Sequence, residues 1–91
     1  MANAKFEVIG NIPSMPGQRA ISAEYEGLSF PCGSVENPEE GVSSLRWNVE
    51  AQVFKRNPGL SFDEKYNKAK EESEKIVTKF MHFIESANTP G

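Results

Sequence analysis

The sequence predicts an α+β protein, in which a three-stranded antiparallel β-meander is followed by one long C-terminal α-helix packed on one face (βββα). Three observations predict this class. Helical periodicity runs through the C-terminal third, a strict period of two runs through residues 44–56, and shorter alternating segments precede them. A chain of 91 residues can bury about one sheet and one covering helix. We therefore expect a single compact domain, residues 1–91.

Two strands are predicted in the N-terminal third. Residues 5–9 alternate between apolar and polar side chains, with Phe6 and Val8 on the inward side. Residues 19–30 alternate in the same way on both sides of Gly27, which marks a bulge or a turn. We expect residues 19–30 to form one long, kinked strand.

The third strand is predicted over residues 44–56. Its apolar residues recur at every second position and define one dry face: Leu45, Trp47, Val49, Ala51 and Val53. A loop of residues 33–41 precedes this strand and concentrates three carboxylates between glycines, those of Glu36, Glu39 and Glu40. A loop of this length is often functional.

The C-terminal helix is predicted over residues 61–87. Ser61 stands three residues before Glu64, the spacing of a capping box in which each residue hydrogen-bonds the other's backbone N–H. The predicted buried side follows the i, i+3, i+4, i+7 spacing and comprises Phe62, Tyr66, Ala69, Ser73, Ile76, Val77, Phe80, Phe83, Ile84 and Ala87. We expect this side to form the core together with Trp47 and its apolar neighbours on the third strand.

The face of the sheet away from the helix is expected to stay open and to bind a partner. It would carry Arg46, Asn48, Glu50, Gln52 and Phe54 from the third strand, with Lys5, Glu7, Ser22, Glu24 and Glu26 from the first two. Phe54 interrupts the polar side of the alternation, and an exposed aromatic side chain beside arginines is typical of an interface anchor. Packing at the sheet edge or against a second copy explains Phe54 equally well. The candidate partner-binding residues are Arg46, Asn48, Gln52, Phe54 and Arg56 on this face, and Glu36, Glu39 and Glu40 in the acidic loop.

Composition argues against several other classes of protein. A formal net charge of −3 is opposite in sign to that of a free-standing nucleic-acid binder. Cys32 is the single cysteine, so no internal disulfide forms, and Cys32 with His82 is too small a set for a zinc site. His82 lies opposite the buried side of the helix, which disfavours a Cys–His catalytic pair. We expect no catalytic residues, metal or cofactor, and no enzymatic activity. The absence of a signal-peptide pattern favours a cytoplasmic protein.

Taken whole, the chain resembles the small bacteriophage anti-CRISPR proteins that bind the type I-F surveillance complex. The resemblance covers the full length and rests on an acidic chain without catalytic motifs, a Pro-rich loop at residues 12–17, the acidic loop at residues 33–41 and one long terminal helix. It implies a phage-encoded inhibitor in the host cytoplasm that occupies the RNA-guided complex and blocks pairing of target DNA with the guide.

Three functions remain open at this level. The first is a protein-binding inhibitor, monomeric or weakly dimeric, whose partner is a large protein or ribonucleoprotein complex, with contact to guide RNA and none to a membrane. The second is a single-stranded nucleic-acid module that stacks bases on the open sheet face. The third is a self-associating structural subunit.

Overall fold

The computed structural model describes residues 4–11, 13 and 16–89. Its elements are β1 (Ala4–Asn11), β2 (Arg19–Tyr25), β3 (Leu28–Ser34), α1 (Pro38–Arg56) and α2 (Phe62–Asn88). The strands form one antiparallel sheet in the order β1-β2-β3. The α+β class is confirmed, but the order of elements is βββαα, and the prediction of a single helix is wrong. Of the Pro-rich loop, residues 12, 14 and 15 lie outside the described residues.

The predicted second strand is in fact a hairpin. Residues 19–30 contain β2, a two-residue turn and the start of β3. Glu26 and Gly27 form the turn with positive φ angles of 51° and 82°. Two successive positive φ angles match the twist of the flanking strands, so the chain reverses here instead of bending. Gly27 therefore marks a turn.

The predicted third strand is also wrong, because residues 44–56 lie within α1. Pro38 occupies the first turn of this helix, where its missing N–H leaves no hydrogen bond unmade. Acidic residues in the first turn and Lys55 and Arg56 in the last turn complement the helix dipole. As a result, Glu39 and Glu40 belong to a helix, and only Glu36 of the three acidic residues lies in the loop before it.

Helix α2 agrees closely with its prediction. Ser61 is the N-cap, and both hydrogen bonds of the capping box with Glu64 are present. The buried residues of α2 are Ala69, Ser73, Ile76, Phe80 and Ile84, all within the predicted face. The first turns differ, because Phe62 and Tyr66 are exposed. Phe62 contacts Phe54 of α1 and Tyr66 of its own helix.

The core lies between one face of the sheet and the two helices. Its largest fully buried side chains include Tyr25 and Ile21 of β2, Leu45 of α1, and Ile76 and Phe80 of α2. Trp47 is 77% exposed, so the expected contact between Trp47 and Phe80 in the interior is wrong. The opposite face of the sheet exposes Lys5, Glu7 and Glu24. The polar residues expected there from residues 44–56 lie on α1 instead.

Candidate protein-binding surface

Three large aromatic side chains of the helix pair are exposed, and a fourth, Phe54, packs against the edge of the core beside Phe62. Trp47, Phe62 and Tyr66 are 77%, 69% and 53% exposed, and Phe54 is half-buried beside them. We call Trp47, Phe54, Phe62 and Tyr66 the aromatic surface. Single exposed apolar residues are common, but several large exposed aromatic side chains are not, so this surface is the candidate site.

The connection between the helices holds three of these rings together. The Phe54 ring meets the Phe62 ring edge-on at a centroid distance of 5.7 Å. Phe62 stacks on Tyr66, one turn further along α2, at 6.4 Å. The capping box at Ser61 fixes the residue at which α2 begins, and so fixes where Phe62 projects. Lys65 places its Nζ 5.9 Å from the centroid of Phe54, within the range of a cation–π contact.

The outer side of α1 extends this surface toward the start of the helix. Glu40, Trp47 and Phe54 are spaced by seven residues, so they lie on nearly the same side of α1, each about 10 Å from the next. Glu40 is exposed at the acidic end of this row. Glu40, predicted in a loop, and Phe54, predicted on a strand, thus lie on one side of the same helix.

Arg46 and Asn48 flank the indole of Trp47 and are held by contacts within the chain. The guanidinium of Arg46 donates to the Glu74 carboxylate of α2 at 2.7 Å. The amide of Asn48 donates to the carbonyl of Ser44, one turn earlier, at 2.8 Å. Arg46 therefore ties α1 to α2, whereas Asn48 bonds within α1.

Arg56 belongs to a polar network at the end of the sheet. Its guanidinium donates to the Glu72 carboxylate at 2.5 Å and to the Tyr25 hydroxyl at 2.9 Å, and it pairs with Glu26 in the hairpin turn at 2.9 Å. The Tyr25 hydroxyl also donates to Glu72. Burial, followed by that hydrogen bond, raises the pKa of Tyr25 well above its usual value. Gln52 accepts a bond from Arg56 through its backbone carbonyl. Arg56 thus links α1, α2 and the hairpin.

A groove of about 680 Å³ lies beside this network. Its lining includes Val53 and Ile76 with Lys68, Glu71, Lys75 and Lys79. Lys75 pairs with Glu71 at 3.5 Å. Because both signs of charge alternate around the groove, it presents no uniform field for a charged ligand.

The acidic residues predicted to meet a partner occupy different settings. Glu36 accepts from the backbone N–H and from the guanidinium of Arg19, both at 2.6 Å. These two hydrogen bonds lower the pKa of Glu36 below its usual value. Glu39 and Glu40 are exposed in the first turn of α1. Glu36 therefore has a structural partner, whereas the carboxylates of the first turn point to solvent.

Cys32 and His82 occupy opposite environments. Cys32 is fully buried, its Sγ lies 3.5 Å from the carbonyl of Gly41, and burial raises the pKa of its thiol to about 12. His82 is exposed, as the helical periodicity predicted. A thiol with this pKa is almost entirely protonated at neutral pH, and the thiolate is the nucleophile.

Sequence reasoning missed Trp47, Phe62 and Tyr66 as surface residues. The period of two had placed Trp47 on the buried face of a strand. This placement does not hold when the same residues form a helix. On a helix Trp47 lies about 200° from Val49, and so on the opposite side from the buried row. Pro38 with two following glutamates was the available signal for that helix.

Searches for similar proteins returned nothing: no family model, curated protein or solved structure matches the chain. Within residues 4–11, 13 and 16–89, neither helix combines the length and apolar character needed to cross a membrane. The same residues contain no cluster of three His, Cys, Asp or Glu side chains suited to a metal ion.

Proposed function

We propose that this chain is a non-enzymatic protein-binding protein that acts by docking the aromatic surface onto a larger protein or ribonucleoprotein complex. The 77% exposure of Trp47 carries the proposal. Tryptophan and tyrosine dominate the residues that contribute most to protein–protein affinity, because burying them on binding removes a large apolar area from water.

The surface is also preorganised, which supports the proposal. Phe54, Phe62 and Tyr66 contact one another in sequence, and Arg46 ties α1 to α2 next to Trp47. Side chains held in place before binding lose little conformational freedom on binding, so more of the apolar burial appears as affinity.

The charge along α1 indicates the chemistry of the partner. Glu40 lies two turns before Trp47 on the same side, and Glu39 is exposed next to it. The partner that fits this row has an apolar pocket for the indole and Lys or Arg side chains about 10 Å from it. Lys and Arg line nucleic-acid channels, so the surveillance complex implied by the anti-CRISPR resemblance is the partner we propose. Docking there would block target DNA hybridisation.

Binding to a purified type I-F surveillance complex tests this proposal. Binding is measured by isothermal titration calorimetry, because tryptophan emission from a large protein complex would mask that of Trp47, the single tryptophan of this chain. Trp47→Ala should lower the affinity about 30-fold, the value for a side chain worth about 2 kcal/mol at an interface. His82→Ala is the matched control, because His82 is an exposed ring on another side of α2. It should bind as the parent chain does.

Two results would count against the proposal at different levels. Equal affinity of Trp47→Ala and the parent chain would exclude the aromatic surface as the contact. The surveillance complex would be excluded as the partner if the chain did not bind it, or bound it without blocking target DNA hybridisation. The partner would then be sought by affinity capture, with Trp47→Ala as the control bait.

A single-stranded nucleic-acid module is the second candidate, favoured by the same exposed rings. Tyr66, Phe62 and Trp47 offer faces on which bases could stack, and Lys65 lies over the ring of Phe54. The net charge of −3 and the carboxylate of Glu40 oppose it. A mobility shift of single-stranded DNA by the purified protein, lost in Trp47→Ala, would favour this function over protein binding.

A further inference from the structure

The three-stranded sheet has two edges, and α1 closes one of them. The hydroxyl of Ser44 in α1 donates to the carbonyl of Pro31 in β3 at 2.8 Å. Pro31 itself has no N–H to offer another strand. Near the end of β3, a Cβ added to Gly33 would stand 2.6 Å from the backbone nitrogen of Gly41. The backbone of α1 therefore takes the space that a further strand would need at this edge.

Strand β1 forms the other edge, and within the described part of the chain no strand pairs with its outer side. β1 pairs with β2 in regular register from Ala4 to Val8, and the register shifts between Val8 and Gly10. The unpaired N–H and C=O groups of an edge strand are a template for another strand. Val8 and Ile9 are 37% and 54% exposed, so apolar surface accompanies these groups.

We propose that residues 4–8 pair antiparallel with the same residues of a second copy, so that two sheets join into one sheet of six strands. The two-fold axis passes between Phe6 and Phe6 of the second copy. Lys5 then faces Glu7 of the second copy, and Glu7 faces its Lys5, both on the polar side of the sheet. On the apolar side, Ala4 faces Val8. This inference uses β1 alone and does not depend on the proposed function.

The charges of β1 select this register over its neighbours. A shift of two residues in one direction places Lys5 opposite Lys5 of the second copy, and a shift in the other direction places Glu7 opposite Glu7. Like charges directly opposite each other on adjacent strands are destabilising. A shift of one residue would set polar side chains against the apolar face. The bulge after Val8 ends the regular pairing on one side.

The second copy is favoured over an unrelated extended segment by this charge complementarity. A strand that lacked a basic and an acidic residue two positions apart would leave Lys5 or Glu7 without its counter-charge. The paired segment is short, so the dimer is expected to be concentration-dependent, since interfaces smaller than the standard size associate weakly.

Charge reversal with sedimentation velocity tests the register. Glu7 faces Ser22 within the monomer, so Glu7→Lys places no like charge directly opposite on β2. It places a cation opposite Lys5 of the second copy at both pairs and should raise the dimer dissociation constant about tenfold or more. Lys5→Glu should do the same through two carboxylates, but it also sets a carboxylate opposite Glu24 of β2 within the monomer, so its melting temperature is compared with that of Lys5→Gln. An equimolar mixture of the two variants restores opposite charges at both pairs and should dimerise. Thermal melts of each variant verify that it is folded.

The alternatives give distinct results. A parent chain that sediments as a monomer up to its solubility limit would overturn the proposal. So would a dimer whose dissociation constant is unchanged by Glu7→Lys, or one that Trp47→Ala abolishes, because the aromatic surface would then be the contact. Failure of the mixed variants to associate, with both folded, would overturn the proposed register.

Discussion

Replacing Gly41 by alanine should destabilise the protein, although the same change stabilises most helices. Gly41 lies inside α1 and is buried. An added Cβ would stand 2.5 Å from Cζ of Phe80 and 2.6 Å from the backbone oxygen of Cys32. Phe80 is fully buried and packs against Phe6 at a ring distance of 5.3 Å, so its ring has little room to retreat.

Two opposing effects determine the magnitude. Alanine in place of glycine favours a helix interior by about 1 kcal/mol. Overpacking a core by one methyl group costs about 1–3 kcal/mol, and a contact with a backbone carbonyl places this site at the upper end. The net loss for Gly41→Ala is therefore about 2 kcal/mol. For a domain of this size, that lowers the melting temperature by about 8–16 °C.

Thermal and urea unfolding followed by circular dichroism measure this loss. Gly59→Ala is the matched control, because a Cβ at Gly59 meets nothing within 4 Å. The control should be unchanged or more stable by a few tenths of a kcal/mol, since alanine reduces the freedom of the unfolded chain. A Gly41→Ala protein that melts at or above the temperature of the parent chain would refute the close approach of α1 to β3 and Phe80.

Two further predictions concern titratable groups. Burial raises the pKa of the Cys32 thiol to about 12. Cys32 should therefore resist a thiol reagent at mildly alkaline pH in the folded protein and react promptly in guanidinium chloride. Rapid labelling of the folded chain would contradict the burial of Cys32. Arg19 lowers the pKa of Glu36, first through its backbone N–H and then through its guanidinium. The ionised carboxylate therefore stabilises the fold at pH values above the pKa of Glu36 in the unfolded chain. This stabilisation is lost as the pH falls through the pKa of Glu36 in the folded chain. Glu36→Gln should therefore melt below the parent chain at neutral pH and match it in strong acid, and a pH-independent difference would show that the charge of Glu36 is not involved.

An element of the fold could be predicted where the local sequence pattern is compatible with only one type of secondary structure. The capping box of Ser61 and Glu64 has one meaning, and α2 begins where it predicts. The alternation around Phe6 likewise predicted β1. The Gly27 signal had two meanings, a bulge or a turn, and only the hydrogen-bonded register between β2 and β3 distinguishes them.

The candidate site was harder to predict because it required the correct inward side of α1. Phe54 was identified from sequence because it interrupts a polar row, and it does lie in the aromatic surface. Trp47 was assigned to the core because it shares a period of two with Leu45 and Val49. The three acidic residues were identified as a cluster from the sequence. The ion pair of Glu36 with Arg19 was not predicted, because the two residues are 17 positions apart along the chain.

The sequence by itself determined the first strand and the position and start of α2, because each rests on neighbours within about one turn or one strand. The tertiary structure decided that residues 44–56 are helical and that Trp47 faces water. Leu45, Val49 and Val53 recur every four residues, a spacing that fits one face of a strand and one side of a helix equally well. Packing against β3 and α2 buries only that row, and so leaves Trp47 on the outside.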